Sequence, residues 1–157
     1  MMTLFFAIKL LHVLGATVLL GTGIGIAFFM VMAHRSAEPA IVAHTAGVVV
    51  IADTLFTATA VVLQPLTGAA LAHMIGYPVF SGWIGASLLL YVFTGLFWLP
   101  VVVMQMRMRN LARAAADAGM PLPAAYHRLY RAWFACGFPA FAAVIGIFWL
   151  MIAKPDL

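Results

Sequence analysis

One histidine, His12, stands inside the charge-free run 10–34, three residues beyond Lys9. An imidazole embedded in an apolar helix is the commonest ligand for b-type haem iron, and it also serves copper and zinc. The same side chain can equally be a hydrogen-bonded packing group. Farther along, Asp53, Thr57, Ala60, Gln64 and Thr67 recur at alternating spacings of four and three. Ser87, Tyr91, Thr94, Trp98 and Gln105 follow at spacings of three, four or seven. Such spacings place each set on one face of a helix. An Asp at the centre of a membrane span costs roughly +2.5 to +3.5 kcal/mol, so Asp53 needs a specific partner or a proton-handling role. By depth, Arg35, Arg107 and Arg131 are candidate partners. The chemistry on offer is therefore metal or iron ligation at His12, hydrogen bonding to it from Gln64, and proton movement by Asp53 or Tyr91. The bland reading of the threonines and serine is interhelical hydrogen bonding, worth about 0.6 kcal/mol each.

These residues sit in a chain of 157 residues that is 66% hydrophobic and 8% charged, with a mean hydropathy of +1.14. A soluble domain carries roughly 25% charged residues, so this composition belongs in a bilayer. The charge-free runs are 10–34, 54–106 and 132–153. A span needs roughly 20 apolar residues, so the outer runs hold one helix each and the middle one two, the second helix beginning before Asp53. The expected fold is all-α, a four-transmembrane-helix bundle forming a single integral membrane domain over 1–157. Its helices run at about 4–33, 41–74, 83–113 and 126–153, with kinks at Pro65 and Pro139. Short loops leave no room for a soluble catalytic domain. Cys136 is alone, which excludes an internal disulfide and a Cys-x-x-Cys-His haem attachment. The apolar stretch after Lys9 is too long for a secretory signal and reads as a retained first helix.

Arg35, Arg107, Arg109, Arg113, Arg128 and Arg131 lie in or beside the first and third connections, whereas the opposite end has only Lys9 and Lys154. The positive-inside rule then puts connections 1–2 and 3–4 in the cytoplasm and both termini in the periplasm, making this a multi-pass protein of a bacterial inner membrane. The basic balance reports orientation and not a nucleic-acid partner. At about 1.5 Å per residue, His12, Gln64, Tyr91 and Phe148 or Trp149 fall roughly 6–10 Å beyond the midplane on the terminus side, where they could line one pocket. Gly21 and Gly25 form a small-xxx-small pair suited to close helix packing. His34, His44 and His127 near Glu38 lack a fixed metal-ligand spacing and read as interfacial.

Three short motifs resemble a known group. Lys9-Leu10-Leu11-His12 opens the first helix, His127-Arg128-Leu129-Tyr130-Arg131 opens the fourth, and Lys154-Pro155 closes it. In order and spacing they look like those of the HemJ-type protoporphyrinogen oxidases, four-helix bacterial membrane proteins that bind b haem and are related to the CopD-like membrane proteins. The resemblance implies that His12 is the haem-iron ligand and that Lys154 is a required basic residue. The chain departs from the HemJ pattern at Thr22-Gly23-Ile24-Gly25 and at Ser87, where HemJ proteins carry an aromatic-rich stretch and a lysine, and Asp53 has no counterpart there. Its Gly21-Thr22-Gly23-Ile24-Gly25 and Phe97-Trp98-Leu99-Pro100-Val101 runs instead resemble a sister group, bacterial predicted integral membrane proteins known as a domain of unknown function.

The function expected from all this is a b-haem-binding membrane redox protein. His12 would be the axial ligand, Lys154 and Lys9 would lie near the propionates, and Gln64 would be a hydrogen-bond donor beside the site. If it is an enzyme, it is an oxidoreductase of HemJ-like type, acting on a hydrophobic two-electron donor such as a porphyrinogen or quinol, with Asp53 and Tyr91 as the catalytic proton carriers. The alternative is a non-catalytic accessory or assembly subunit that packs against a membrane-protein partner or a second copy of itself. A third reading is a metal or proton transporter that uses Asp53.

Overall fold

The computed structural model describes residues 2–156. Its elements are α1 (Met2–Ser36), α2 (Pro39–Ala52), a π-helical turn (Asp53–Thr57), α3 (Ala58–Met74), α4 (Gly82–Asp117) and α5 (Ala124–Ala153). All described secondary structure is helical, and α2, the π turn and α3 run on as one span. Four helices, Met2–Ser36, Pro39–Met74, Gly82–Asp117 and Ala124–Ala153, are thus long and apolar enough to cross a membrane.

The spans run a few residues past the expected bounds, and the caps explain why. His34 and Arg35 belong to the last turn of α1, where basic side chains complement the carbonyl end of the helix dipole. Ala37, at φ 57°, then turns the chain, and Pro39 opens α2 in the first turn, where its missing N–H costs nothing. The α3 and α4 ends share one device. Tyr77 N–H bonds Ala72 O at 2.9 Å and Gly76 N–H bonds His73 O at 3.1 Å, while Met120 N–H bonds Ala115 O at 2.9 Å and Gly119 N–H bonds Ala116 O at 3.1 Å. Both are Schellman closures, with Gly76 and Gly119 in the left-handed region that such a turn demands.

The second span is interrupted at Asp53–Thr57 and not at Pro65. In the π turn the Ala58 N–H reaches back to Asp53 O, five residues away, and the Thr54 and Thr59 hydroxyls donate to Val50 O and Leu55 O at 2.8 and 2.7 Å. Threonine back-bonding of this kind adds a donor at carbonyls in and beside the irregular turn, Val50 O also accepting from the Asp53 N–H. The α3 and α5 helices continue through Pro65 and Pro139. Pro65 has no N–H for Val61 O, and the Tyr91 hydroxyl of α4 donates to that carbonyl instead.

The core lies toward the arginine-bearing end. Met30, Val42, Ala46, Met108, Ala112 and Tyr126 are fully buried there and pack with Ile26, Val49 and Trp133. The α4 helix is the hub, packing along α5 and against α2, while α1 lies along α2 and α3. Toward the termini the main packing is α1 with α3 and α4 with α5, the two pairs bridged by the Tyr91 bond to Val61 O, and buried side chains thin out to Gln64, Ala72, Ser87, Ala143 and Leu150.

Close packing of α1 and α3 rests on glycines other than the Gly21 and Gly25 pair. A Cβ on Gly15 would stand 2.7 Å from Gln64 Nε2 and one on Gly68 would stand 3.2 Å from His12 Cε1, whereas Gly21 has nothing within 4 Å. Gly15→Ala should therefore displace the Gln64 amide and lose its hydrogen bond, lowering stability by about 0.5–1.5 kcal/mol. Gly21→Ala should gain helix propensity, up to about 1 kcal/mol. Thermal melting in detergent separates the two, and a shift of the same sign for both would show that the glycines are not distinguished by what faces them.

Candidate functional site

Two polar clusters occupy the interior, about 16 Å apart along the second span at 1.5 Å per residue. The first joins α1 to α3. Gln64 Nε2 donates to His12 O at 2.8 Å, and His12 Nδ1 lies 2.8 Å from Thr67 Oγ1. Thr67 Oγ1 in turn lies 2.7 Å from Leu63 O and 3.2 Å from Gln64 O, both acceptors only. A threonine hydroxyl has one proton, and here a backbone carbonyl takes it, so Thr67 must accept from His12. Nδ1 therefore carries the proton of the neutral ring, and Nε2 carries the lone pair. Nε2 has no hydrogen bond, and His12 is half-buried with its ring against Gly68 of α3. That is the disposition of a metal-binding histidine, one nitrogen oriented by a neighbour and the other free. For the haem that the resemblance implies, the donor chemistry fits at His12.

Tyr91 lies one turn from Gln64 through its bond to Val61 O, so its hydroxyl proton is engaged in completing α3. Trp149 is 59% exposed on the lipid side and does not line this region. Lys154 caps α5 at φ 44° and holds Nζ 5.6 Å from the Trp83 ring, while Lys9 Nζ lies 6.0 Å from the ring of Phe5 on its own helix. Both ammonium groups rest on aromatic faces at the terminus end, where a cation–π contact leaves the charge near water.

The second cluster is centred on Asp53, only 4% exposed. With the Gln105 carboxamide turned as its neighbours require, Nε2 donates to Asp53 Oδ2 at 2.7 Å and Oε1 accepts from Trp133 Nε1 at 3.3 Å. The Thr57 hydroxyl and the Trp98 indole N–H also face the carboxyl, but neither meets hydrogen-bonding geometry, and both are buried without another partner. Every group facing Asp53 is neutral. Arg35, Arg107 and Arg131 are all exposed, and none is among the groups that face it.

Two features here escaped the sequence reading. Trp133 belongs with Tyr126 and Tyr130 on one face of α5, a spacing of four and three that is visible in the sequence but easily taken for core filler. His34 stacks on Tyr130 with ring centres 3.5 Å apart and lies 3.2 Å from the Tyr126 hydroxyl through Nδ1. Aromatic contact therefore runs from His34 through Tyr130 to Trp133, and the Gln105 amide carries it to Asp53. No three His, Cys, Asp or Glu side chains converge among the described residues, so His34, His44, His127 and Glu38 do not assemble into a metal site.

A four-helix span set with a hydrogen-bonded polar interior defines a polytopic integral membrane protein. The chain belongs to the family described as predicted integral membrane protein (DUF2269), whose model matches residues 6–155. No curated protein and no solved structure matches it.

Proposed function

We propose that the protein is a b-haem-binding redox protein of the bacterial inner membrane, with His12 as the axial ligand. What carries this reading is the geometry at His12: Nδ1 meets Thr67 Oγ1 at 2.8 Å, Nε2 makes no hydrogen bond, and assigning the single Thr67 proton to Leu63 O leaves the lone pair on Nε2. The HemJ-like motifs around His12 and Lys154 support it. In this reading Lys9 and Lys154, at the terminus end, meet the propionates, and the arginine-bearing connections face the cytoplasm. A bound b haem would supply one-electron chemistry at its iron. The chain's own residues orient the imidazole through Thr67, fix the α1 backbone at His12 through Gln64, and keep Asp53 as the interior carboxyl able to hold a proton. A hydrophobic two-electron donor, a porphyrinogen or quinol, would arrive from the lipid.

The test is the visible spectrum of protein purified from haem-replete cells. A Soret band is expected, absent in His12→Ala. Thr67→Val, which removes the acceptor for Nδ1–H, should weaken haem retention on the order of tenfold. A colourless, folded wild-type protein would sink the reading. Rescue of porphyrinogen oxidation in a deficient strain tests the oxidase version separately.

A second reading, an accessory subunit that binds another membrane protein or its own copy, is favoured by one observation. Gly21, Gly23, Gly95 and Gly137 have nothing within 4 Å of a Cβ position, leaving open surface on three spans. A third, ion transport through Asp53, draws on the neutral surroundings of that carboxyl. It requires Asp53→Asn to abolish flux in vesicles while leaving any haem spectrum unchanged.

A further inference from the structure

At the arginine-bearing end, apart from both polar clusters, a groove of about 360 Å³ runs along α2. Its floor is Gly47, Val48 and Ile51, its rim is His44, and Arg113 of α4 overhangs it. From His44 to Ile51 the groove descends about 10 Å into the span. Val48 and Ile51 are 53% and 59% exposed within a membrane-spanning helix, so the floor faces hydrocarbon. Arg113 lies close over Gly47, its Nη2 within 3.8 Å of where a Cβ would stand, an ordinary contact distance.

We propose that this groove binds one anionic phospholipid, its phosphate held by Arg113 and His44 and the upper part of an acyl chain lying along Gly47, Val48 and Ile51. Charge and polarity both select this occupant. The lining contains no acidic side chain, and a guanidinium presents paired N–H donors that match phosphate oxygens. Basic pockets between spans are known lipid-headgroup sites, and an apolar floor below the charge excludes a free anion as the better-fitting ligand. A neighbouring groove of about 400 Å³ at the same end differs where it matters, having Glu38 in its wall. The site is independent of His12 and of the haem reading.

Native mass spectrometry of the full chain in detergent tests it, with phosphatidylglycerol, phosphatidylcholine and inorganic phosphate as separate probes. One phosphatidylglycerol per chain should be retained, on the order of tenfold more tightly than phosphatidylcholine. Inorganic phosphate should neither bind nor displace it. Arg113→Gln should abolish the preference for the anionic lipid, and Arg128→Gln, an exposed arginine at the same end, should leave it intact. Gly47→Leu should weaken retention by filling the floor without altering charge. Should that variant misfold, the two arginine variants still decide. Equal retention of both lipids, displacement by phosphate, or equal losses in Arg113→Gln and Arg128→Gln would overturn the proposal.

Discussion

Gln105→Leu should destabilise the protein more than any other single substitution of similar volume in its interior. The change removes the donor to Asp53 Oδ2 and the acceptor of Trp133 Nε1 together, at a residue only 1% exposed. An orphaned buried polar group costs about 1–3 kcal/mol, more if charged, so the expected loss is about 3–5 kcal/mol. Partners found in the unfolded membrane state pull such losses down, and two interactions at the membrane average of about 0.6 kcal/mol each put the low end at about 1.2 kcal/mol. Gln105→Glu is the informative companion, because it preserves size and sets a second carboxyl against the first. It should destabilise at neutral pH and recover in acid, where the two groups can share a proton. Unfolding in mixed detergent measures both. If Gln105→Leu melted within about 0.5 kcal/mol of wild type, the size of a neutral surface change, the amide would not be what satisfies Asp53.

Tyr91→Phe should lower stability by about 1–2 kcal/mol, and the loss should depend on a residue in another helix. The hydroxyl donates to Val61 O, the carbonyl that Pro65 leaves without its helical partner. Pro65→Ala restores an N–H to that position, after which the hydroxyl is redundant. In the Pro65→Ala background, then, Tyr91→Phe should be close to neutral, a coupling of about 1 kcal/mol in a double-mutant cycle. Strict additivity would show that the tyrosine does not complete the helix. The cycle also bears on catalysis, because a proton committed to Val61 O is not free for substrate.

The four spans were legible because hydrophobicity and the few charges mark them directly, and the family match and the helices agree with that reading. Both polar stripes were legible for the same reason, since periodicity alone turns Asp53, Thr57, Gln64, Ser87 and Gln105 inward, and all five are buried. What could not be read was pairing. Depth along the axis nominated arginines for Asp53, but those arginines lie on exposed helix faces, and the partner is an amide on α4. The π turn left no mark either, because its loosened bonds are compensated by threonines that look like ordinary helix surface. Pro65 suggested a kink and a carbonyl without its N–H, and only the position of a neighbouring helix reveals that a tyrosine supplies the missing donor. His12 was visible as a candidate, but its tautomer depends on Thr67, one full span away in sequence.

The uneven packing of the bundle gives it a mechanical property. Its helices are tied together most extensively at the arginine-bearing end, and beyond Asp53 the two pairs stay joined by the Tyr91 bond to Val61 O, so each pair is a lever pivoting near the π turn with that bond as its brake. The α3 arm, Ala58–Met74, is about 25 Å long at 1.5 Å per residue. A tilt of about 5° at the pivot carries its far end through about 2 Å, about half the width of a methyl group, by the same rise per residue. Rearranging one carboxyl and one amide at the fulcrum would thus be felt about halfway along the arm, where Thr67 meets His12, without either group touching it.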